Sequence, residues 1–293
     1  MHILNIGAGS CQLVECFGSD EALIVDCGQM SPGDTDLSSD AIAEYFDLVI
    51  GKGDTKVALS HADADHINRI ASSMKERIPK SIWMGDEIDT YGEPAATWLN
   101  TMADSGVDIV APPKGFTNHG RPVPELSCGK AETYVLAVNE GASKNSKSLV
   151  LLIEYGNFRA IFPGDAEKVT EAAALSAYGA LIGETTLLLG SHHGAPPPAS
   201  NHAAWAAAIA PQIVVFSAGS SHGHPNNEAA AGYREHLFGV KPHPMHTAKD
   251  KLTACVKKSS TKAEYVTALN GTIVVETDGE DVSLTCSLSP DCF

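Results

Sequence analysis

The feature that most constrains this chain is a cluster of histidines and aspartates placed where an apolar segment ends. The apolar run Val57–Leu59 is typical of a buried strand, and Ser60 closes it. The next six residues supply two imidazoles and two carboxylates, from His61, Asp63, Asp65 and His66. Side chains two residues apart project to one side of an extended backbone, and desolvated aspartates repel each other unless a cation lies near them. The stretch therefore predicts a metal site, and the alternative of a solvated loop with chance histidines and aspartates explains less of the pattern.

Three further segments repeat this arrangement, with histidine or aspartate after an apolar run. The apolar runs are 148–162, 186–189 and 213–216, and the residues that follow them are Asp165, His192, His193, His222 and His224. Each motif alone has an ordinary explanation, since Gly-Asp pairs are common in turns and isolated histidines are often packed or exposed. Because four strand ends deliver the same residue types, the recurrence carries more weight than any single motif.

Length and composition place the chain among ordinary globular proteins. It has 293 residues, of which 43% are apolar and 19% charged, enough to bury a large core. Chains of this size with helices and strands often remain single, so we predict one domain over residues 1–293. The sequence holds no run of eighteen apolar residues, and its start lacks the basic segment of a signal peptide. We therefore expect a cytoplasmic protein without a membrane association.

The cysteines point to the same compartment. There are seven, an odd number, and no two of them form a Cys-x-x-Cys pair. Cys11, Cys16 and Cys27 fall in strand-like segments, where a thiol usually behaves as a small buried hydrophobe. We therefore expect reduced cysteines, with only Cys286 and Cys292 placed to pair.

The net charge of −16 disfavours contact with polyanions, so a nucleic-acid substrate would need a local basic patch. Residues 249–262 hold five of the twenty basic residues: Lys249, Lys251, Lys257, Lys258 and Lys262. We predict Lys249 as a substrate contact on this patch. A solvated lysine face near a chain end explains the patch at least equally well.

The remaining elements predict a chain that mixes helices and strands. Apolar runs between glycine turns indicate a strand meander over residues 2–25, and a helix is expected over 39–50. Helical spacing runs from Ile67 to Ile78 and stops at Pro79. The segment 85–124, with one helix and a loop rich in glycine and proline, is expected to cover the site.

These motifs together resemble the metallo-β-lactamase superfamily, and within it the C-terminal domain of the bacterial DNA-uptake channel ComEC. The superfamily pattern is His-x-His-x-Asp-His, and Asp63 replaces its second histidine, the form that the ComEC-like branch uses. The likeness continues in order through 148–167, 191–194, 222–225 and 270–273. It implies an α+β fold, an αββα sandwich of two packed mixed sheets flanked by helices, with the site at one edge between the sheets. The membrane channel has no counterpart, so a soluble relative is expected.

The resemblance also implies two divalent ions, zinc or manganese with magnesium as a further option. His61 and Asp63 would hold the first ion. The second would be held by Asp65, His66, Asp165 as a bridge, and one of His192 and His193, of which we favour His193. The usual third histidine of the first site has no clear counterpart, because the equivalent loop offers Asn145 and Ser148, which we predict to contact the substrate.

The chemistry implied by this set is hydrolysis of a phosphodiester in DNA, RNA or a nucleotide. Three carboxylates and three histidines favour manganese or magnesium more than a histidine-rich site would. A bound water would have its pKa lowered to roughly 7, and the predicted catalytic residues are Asp65, His222 and His224. Two alternatives stay open: a hydrolase of small esters, thioesters or lactams, and a metal-stabilised module that binds a protein partner. The sequence predicts neither the oligomeric state nor a particular partner.

Overall fold

The structure, a computed structural model, describes residues 1–16, 18–30, 36–248 and 255–288. The strands within these ranges are β1 (His2–Ile3), β2 (Ala8–Cys16), β3 (Glu21–Met30), β4 (Asp54–Leu59), β5 (Ser81–Met84), β6 (Asp108–Val110), β7 (Glu132–Ala137), β8 (Val150–Tyr155), β9 (Phe158–Phe162), β10 (Leu187–Leu189), β11 (Ile213–Phe216), β12 (His243–Ala248), β13 (Cys255–Ser260), β14 (Glu264–Val266), β15 (Ile273–Thr277) and β16 (Val282–Cys286). The helices are α1 (Ser39–Ile50), α2 (Ala64–Ile67), α3 (Ile70–Met74), α4 (Ala95–Asp104), α5 (Lys168–Ile182), α6 (Ala203–Ile209), α7 (Asn227–His236) and α8 (Thr267–Asn270).

The strands form two mixed sheets. The larger has the order β13-β12-β16-β15-β1-β2-β3-β4-β5-β6, and the smaller has the order β14-β11-β10-β9-β8-β7. Pairing is parallel from β3 through β6 and from β9 through β11 to β14. Because parallel strands run the same way, their carboxyl ends lie at one edge of each sheet, which is where the predicted site residues follow.

The central strands of both sheets are buried on both faces, which explains why they are almost uniformly apolar. In β3, Leu23 and Val25 face the core between the sheets, while Ile24 faces the helices on the outer side. In β8, Leu151 faces the shared core and Leu152 the outer one. The alternation of two in each strand therefore fills two different cores.

Helices cover the two outer faces. Ile42 and Phe46 of α1 are fully buried against the large sheet, and Trp205 of α6 and Tyr233 of α7 are fully buried against the small one. The order of layers is thus helix, sheet, sheet, helix. This confirms the αββα sandwich with two mixed sheets that the resemblance implies.

Several elements differ from the sequence expectation. The helix expected from Ile67 to Ile78 is two short helices, α2 and α3, because the Asn68 side chain between them bonds the backbone N–H and C=O of Gln29 at 2.8 Å each. Ile78 is 61% exposed, so its helical spacing was misleading. The lysine-rich region contributes strand β13, which pairs antiparallel with β12. Helix α7 was not predicted, although Asn226 caps its start and Glu228 lies in its first turn.

The expected cover over the site is wrong. In segment 85–124, the α4 side chains Trp98 and Leu99 pack into the core on the outer face of the large sheet. Val123 then enters the core between the sheets. The segment is retained by these apolar contacts and contributes no residue to the cavity beside the site, which is described below.

The expectation of reduced cysteines is also wrong. Disulfides join Cys11 to Cys27, across the β2–β3 pair, and Cys16 to Cys128, which lies in the loop before β7. Strand pairing brings Cys11 directly opposite Cys27, a relation that spacing along the chain does not reveal. Cys286 is disulfide-bonded too, and Cys292 lies outside the described residues. Disulfides persist in oxidising environments, so the cysteines no longer support a cytoplasmic location.

Among the described residues, no helix combines the length and the apolar character needed to cross a membrane.

Candidate metal centre

The two sheets bring four loops together at one edge. Ser60 follows β4 in the large sheet, and Asp165, His192 and Ser217 follow β9, β10 and β11 in the small sheet. These loops lie at the carboxyl ends of strands that are parallel within each sheet, so their side chains meet in the gap between the sheets. The sequence prediction that four strand ends form one site thus has a geometric basis.

At the centre, the Nε2 atoms of His66 and His193 lie only 3.1 Å apart. His66 Nδ1 is 2.8 Å from the carboxylate of Asp26, and His193 Nδ1 is 2.7 Å from the backbone oxygen of Ser217. Both partners only accept hydrogen bonds, so each Nδ1 carries a proton, and the two Nε2 atoms are left facing each other. A proton shared by the two Nε2 atoms, or a metal ion bound between them, would satisfy both.

Asp165 adds acceptor oxygens to the same place. Its Oδ1 is 3.0 Å from His66 Nε2 and 3.5 Å from His193 Nε2, and it is buried without a hydrogen-bond partner. Its Oδ2 points the other way, 3.4 Å from His192 Nε2 and 3.8 Å from His61 Nε2. The two oxygens of one carboxylate therefore serve two sides of the site.

The pKa shifts of His66, His193 and Asp165 also show that the site favours a positive charge. Burial lowers the pKa of His66, but Asp165 and Asp26 outweigh it and hold that pKa well above the usual value. Burial likewise lowers the pKa of His193, and Asp165 and Asp65 more than reverse this. Burial raises the pKa of Asp165, but the neighbouring histidines hold it well below its ordinary value. An ion would satisfy these groups as a proton does.

Asp65 completes the group around His66 and His193. Its Oδ2 is 3.5 Å from His193 Nε2. Burial raises its pKa, but the His193 hydrogen bond and the charge of His66 bring the pKa to about 2. Asp65 is therefore ionised at neutral pH. Among the described residues, the ligand atoms of Asp65, His66 and His193 lie within 4.8 Å of one another, as do those of His61, His66 and Asp165.

The side of the site formed by His61 and Asp63 is more open. His61 is fully buried, and its Nε2 has no hydrogen-bond partner. Asp63 Oδ2 is 3.5 Å from that nitrogen, and its other oxygen is 3.2 Å from the ammonium of Lys144. Asp63 belongs to neither of the two close groups.

The sequence reasoning missed Asp26, which positions His66. Asp26 is fully buried and accepts hydrogen bonds from the backbone N–H of Ser60 at 2.6 Å and its hydroxyl at 2.7 Å, besides the His66 contact. It sits at a bulge, where Cys11 pairs with Cys27 and Gln12 with Val25, and its φ is +55°. The only sequence signal was an aspartate at the end of an apolar strand.

A second missed residue is Asn201, which holds the turn that carries His192 and His193. Both histidines have left-handed φ angles, +50° and +55°, so they point to different sides. The Asn201 amide donates to the carbonyls of Ser191 at 2.9 Å and Ala195 at 2.7 Å. These bonds span the turn and fix a backbone conformation that non-glycine residues rarely adopt.

The three predicted substrate contacts have different outcomes. Asn145 lies at the site, with its amide nitrogen 3.5 Å from the His192 ring nitrogens. The structure gives Ser148 a different contact, because its side chain is fully buried and its hydroxyl accepts the backbone N–H of Asp165 at 3.1 Å. Ser148 therefore positions Asp165. Lys249 lies outside the described residues.

The predicted catalytic histidines lie beside a cavity of about 200 Å³. It is lined by Ala8, Met30, Asp65, His192, His193, Ala218, Gly219, His222 and His224. His224 Nδ1 is buried without a hydrogen-bond partner, while His222 is exposed at the rim. Burial lowers the pKa of His224, and the nearby His193 and His192 lower it further. The cavity thus places an unpaired ring nitrogen near the acceptor cluster.

Comparison with known proteins gives a family and a set of distant folds. A family model described as the metallo-beta-lactamase superfamily matches residues 4–210. No curated protein is similar enough in sequence to count as a relative.

Solved structures resemble the chain at low identity. The diiron β-hydroxylase CmlA from Streptomyces venezuelae has a TM-score of 0.44 and 15% identity, over 79% of this chain and 46% of that one. The E377D mutant of CmlA β-hydroxylase gives 0.44 and 15%, over 73% and 45%. Unliganded yeast PDE1 gives a TM-score of 0.43 and 10% identity, over 80% of this chain and 93% of that one. This chain therefore spans less than half of the CmlA chains.

Proposed function

Since the chain belongs to the metallo-β-lactamase superfamily, whose model matches residues 4–210, we propose that it is a metal-dependent hydrolase acting on a phosphodiester. The His-x-Asp-x-Asp-His form of residues 61–66 and the likeness to the ComEC domain support a nucleotide or nucleic-acid fragment as the substrate. The observation that carries the proposal is the 3.1 Å approach of the His66 and His193 Nε2 atoms, with both Nδ1 atoms engaged by acceptors.

The residues that would hold a divalent ion are those whose free lone pairs converge. They are His66, His193, Asp65 and Asp165, a set with two carboxylates and two imidazoles. Asp26 and the carbonyl of Ser217 fix the two imidazoles by their Nδ1 atoms, and such partners commonly tune metal affinity. When bound, the ion would lower the pKa of a water and offset the charge of the phosphate.

Each predicted catalytic residue then has a separate task. Asp65 is ionised and half-enclosed, so it can accept a hydrogen bond from the attacking water as well as hold the ion. His224 has a lowered pKa and is neutral at pH 7, so it can donate one N–H to a phosphate oxygen in the cavity. His222, exposed at the rim, is placed to contact the outer part of a substrate.

The size of the cavity favours a small substrate. At about 200 Å³, it lies below the usual range for drug-sized ligands, roughly 300–1,000 Å³. The net charge of −16 also opposes a long polyanion. Because Ala8, Met30 and Ala218 give the cavity an apolar wall, a small ester, thioester or lactam is the second candidate.

The test is metal content after purification, followed by hydrolysis of bis(p-nitrophenyl) phosphate, a dinucleotide and single-stranded DNA with zinc, manganese or magnesium. We expect metal-dependent release of nitrophenol or mononucleotide that is lost in Asp65→Ala/His66→Ala. Asp47→Ala, at an exposed carboxylate that pairs with Lys75, serves as the matched control.

Two outcomes would contradict the proposal. Bound metal with turnover of a thioester or lactam, but of no phosphodiester, would favour the second candidate. Bound metal without turnover of any of these would favour a module that binds a protein partner.

A further inference from the structure

We propose that the centre holds a single tightly bound ion, and that the Lys144 ammonium supplies the second positive charge, on the His61–Asp63 side. This inference rests on the proposed function only in taking the cluster to be a metal centre. It departs from the two ions that the resemblance implies. The two sides of the site differ in how closely their ligand atoms approach and in what already neutralises them.

On the His66–His193 side, the ligand atoms already lie at the separations that a bound ion requires. The Nε2 atoms of His66 and His193 are 3.1 Å apart, and Asp165 Oδ1 lies 3.0 Å and 3.5 Å from them. Ligand atoms about 2.1 Å from a common ion are separated by roughly 3.0–3.5 Å, as in octahedral or tetrahedral geometry. These separations therefore match a formed site that needs little rearrangement.

On the other side, His61 and His192 both lie near Asp165 Oδ2, and the loop that would carry a further histidine is otherwise engaged. The Ser148 hydroxyl accepts the N–H of Asp165 and is fully buried. The Ser146 carbonyl accepts the Thr170 hydroxyl at 2.6 Å, which ties the loop to α5. The loop is thus fixed in a conformation in which Lys144 and Asn145 face the site.

Lys144 stands at the start of this loop's 3-10 turn and extends toward residues 61–63. Its ammonium is 3.2 Å from Asp63 Oδ1 and 3.4 Å from the carbonyl oxygen of Ala62. Asp63 Oδ2 faces His61 Nε2 at 3.5 Å, so the carboxylate lies between a fixed cation and an imidazole. Its charge is therefore balanced without a divalent ion.

The consequence is an asymmetric centre. A divalent ion entering beside His61 would meet the ammonium of Lys144 across Asp63, and like charges at this range oppose each other. Lys144 is 55% exposed, so its remaining donors can reach an anionic group on a bound substrate. A phosphate would then be held between one ion and one lysine.

The experiment is a manganese titration of the metal-free protein, read by electron paramagnetic resonance and by isothermal calorimetry. We expect one tight equivalent in the wild type, with the six-line spectrum of an isolated ion. In Lys144→Met, which keeps the chain length and removes the charge, we expect the tight equivalent to remain. A second equivalent should bind at least 10-fold more tightly than in the wild type.

Lys80→Met is the matched control, because Lys80 is a similarly exposed lysine that pairs with Asp54 away from the site. Two tight equivalents with exchange-coupled spectra in the wild type would overturn the inference. So would an unchanged affinity for the second equivalent in Lys144→Met. Phosphodiester turnover with two coupled ions would refute the inference and leave the proposed function standing, whereas one ion without turnover would do the reverse.

Discussion

Asp26 orients His66, although it could not itself contact an ion bound between His66 and His193. Its carboxylate fixes the tautomer of His66 and at the same time anchors Ser60, the residue at the end of β4. The bulge in β3 makes this possible, because it turns one residue out of the strand ladder and toward the site.

We expect Asp26→Asn to weaken binding of a divalent ion by about 10- to 100-fold, since a neutral amide accepts the His66 Nδ1–H less strongly than a carboxylate and leaves Nε2 less basic toward the ion. Competition with a chromogenic chelator measures the affinity, and circular dichroism checks that the variant is folded. Asp47→Asn, at an exposed carboxylate, should leave the affinity unchanged. Equal affinities in both variants would show that Asp26 is only a structural residue.

His2 is a buried histidine outside the site, and its lowered pKa predicts that the free energy of unfolding falls at acid pH. Burial, helped by the charge of the N-terminus, lowers its pKa to about 3. The unfolded chain therefore binds one more proton than the folded protein between about pH 6.5 and pH 3, so stability falls as the pH is lowered through this range.

Replacing His2 by Gln should reduce the slope of the unfolding free energy against pH, between pH 6.5 and pH 4, by an amount that corresponds to close to one proton. Urea denaturation at a series of pH values measures the slope. His119→Gln, at an exposed position, is the control and should keep the wild-type slope. A slope in His2→Gln that equals that of the wild type would contradict the assignment.

At the scale of elements, the closest fit lies between β3 and α2. A Cβ added to Gly28 would collide with the backbone nitrogens of His66 and Ile67. The strand β3 and the helix α2, which carries Asp65 and His66, therefore approach backbone to backbone. This contact sets where Asp65 and His66 stand relative to Asp26.

We expect Gly28→Ala to destabilise the protein by roughly 1–3 kcal/mol, the usual cost of overpacking, and to weaken metal binding because α2 must shift. Thermal and urea unfolding measure the first effect and a metal titration the second. Gly232→Ala on α7 is the control, since an added Cβ there meets nothing within 4 Å. Gly232→Ala should be neutral or slightly stabilising. Loss of stability without loss of metal affinity would show that the contact does not position the motif.

For the whole molecule, the Cys16–Cys128 disulfide joins the large sheet to the loop that leads into the small one. Its half-cystines are 112 residues apart, whereas those of Cys11–Cys27 are 16 apart. A longer closed loop restricts the unfolded chain more, and typical disulfides contribute about 2–4 kcal/mol.

Cys16→Ser/Cys128→Ser should therefore lower the unfolding free energy by more than Cys11→Ser/Cys27→Ser, by about 1–2 kcal/mol on loop entropy. Urea unfolding without reductant compares the two variants, and thiol titration of the denatured wild type counts the free cysteines. Reactive thiols at all four positions would contradict both bridges.

The order of the layers was implied by the resemblance, and the local signals agree with it. Helix α1 spans the predicted residues 39–50, and the apolar runs 148–162 and 213–216 form strands β8, β9 and β11. The failures came where tertiary contacts outweigh local preference. Helix α2 ends where the Asn68 side chain bonds to β3. Segment 85–124 packs on the outer face of the large sheet because Trp98 and Leu99 are buried in the core there.

The sequence by itself determined the strand ends at which histidines and aspartates appear, and its motifs carried the resemblance that implies the family and the αββα order. The strand ends depend on periodicity and the resemblance on motifs of a few residues, and both are local. Only the tertiary structure decided that Asp26 orients His66, that Ser148 is buried under Asp165, that Lys144 faces Asp63 and that Cys16 meets Cys128. Each of these relations joins residues that lie between 17 and 112 positions apart in the chain. Such contacts are fixed by strand register and sheet packing, which no short stretch of sequence encodes.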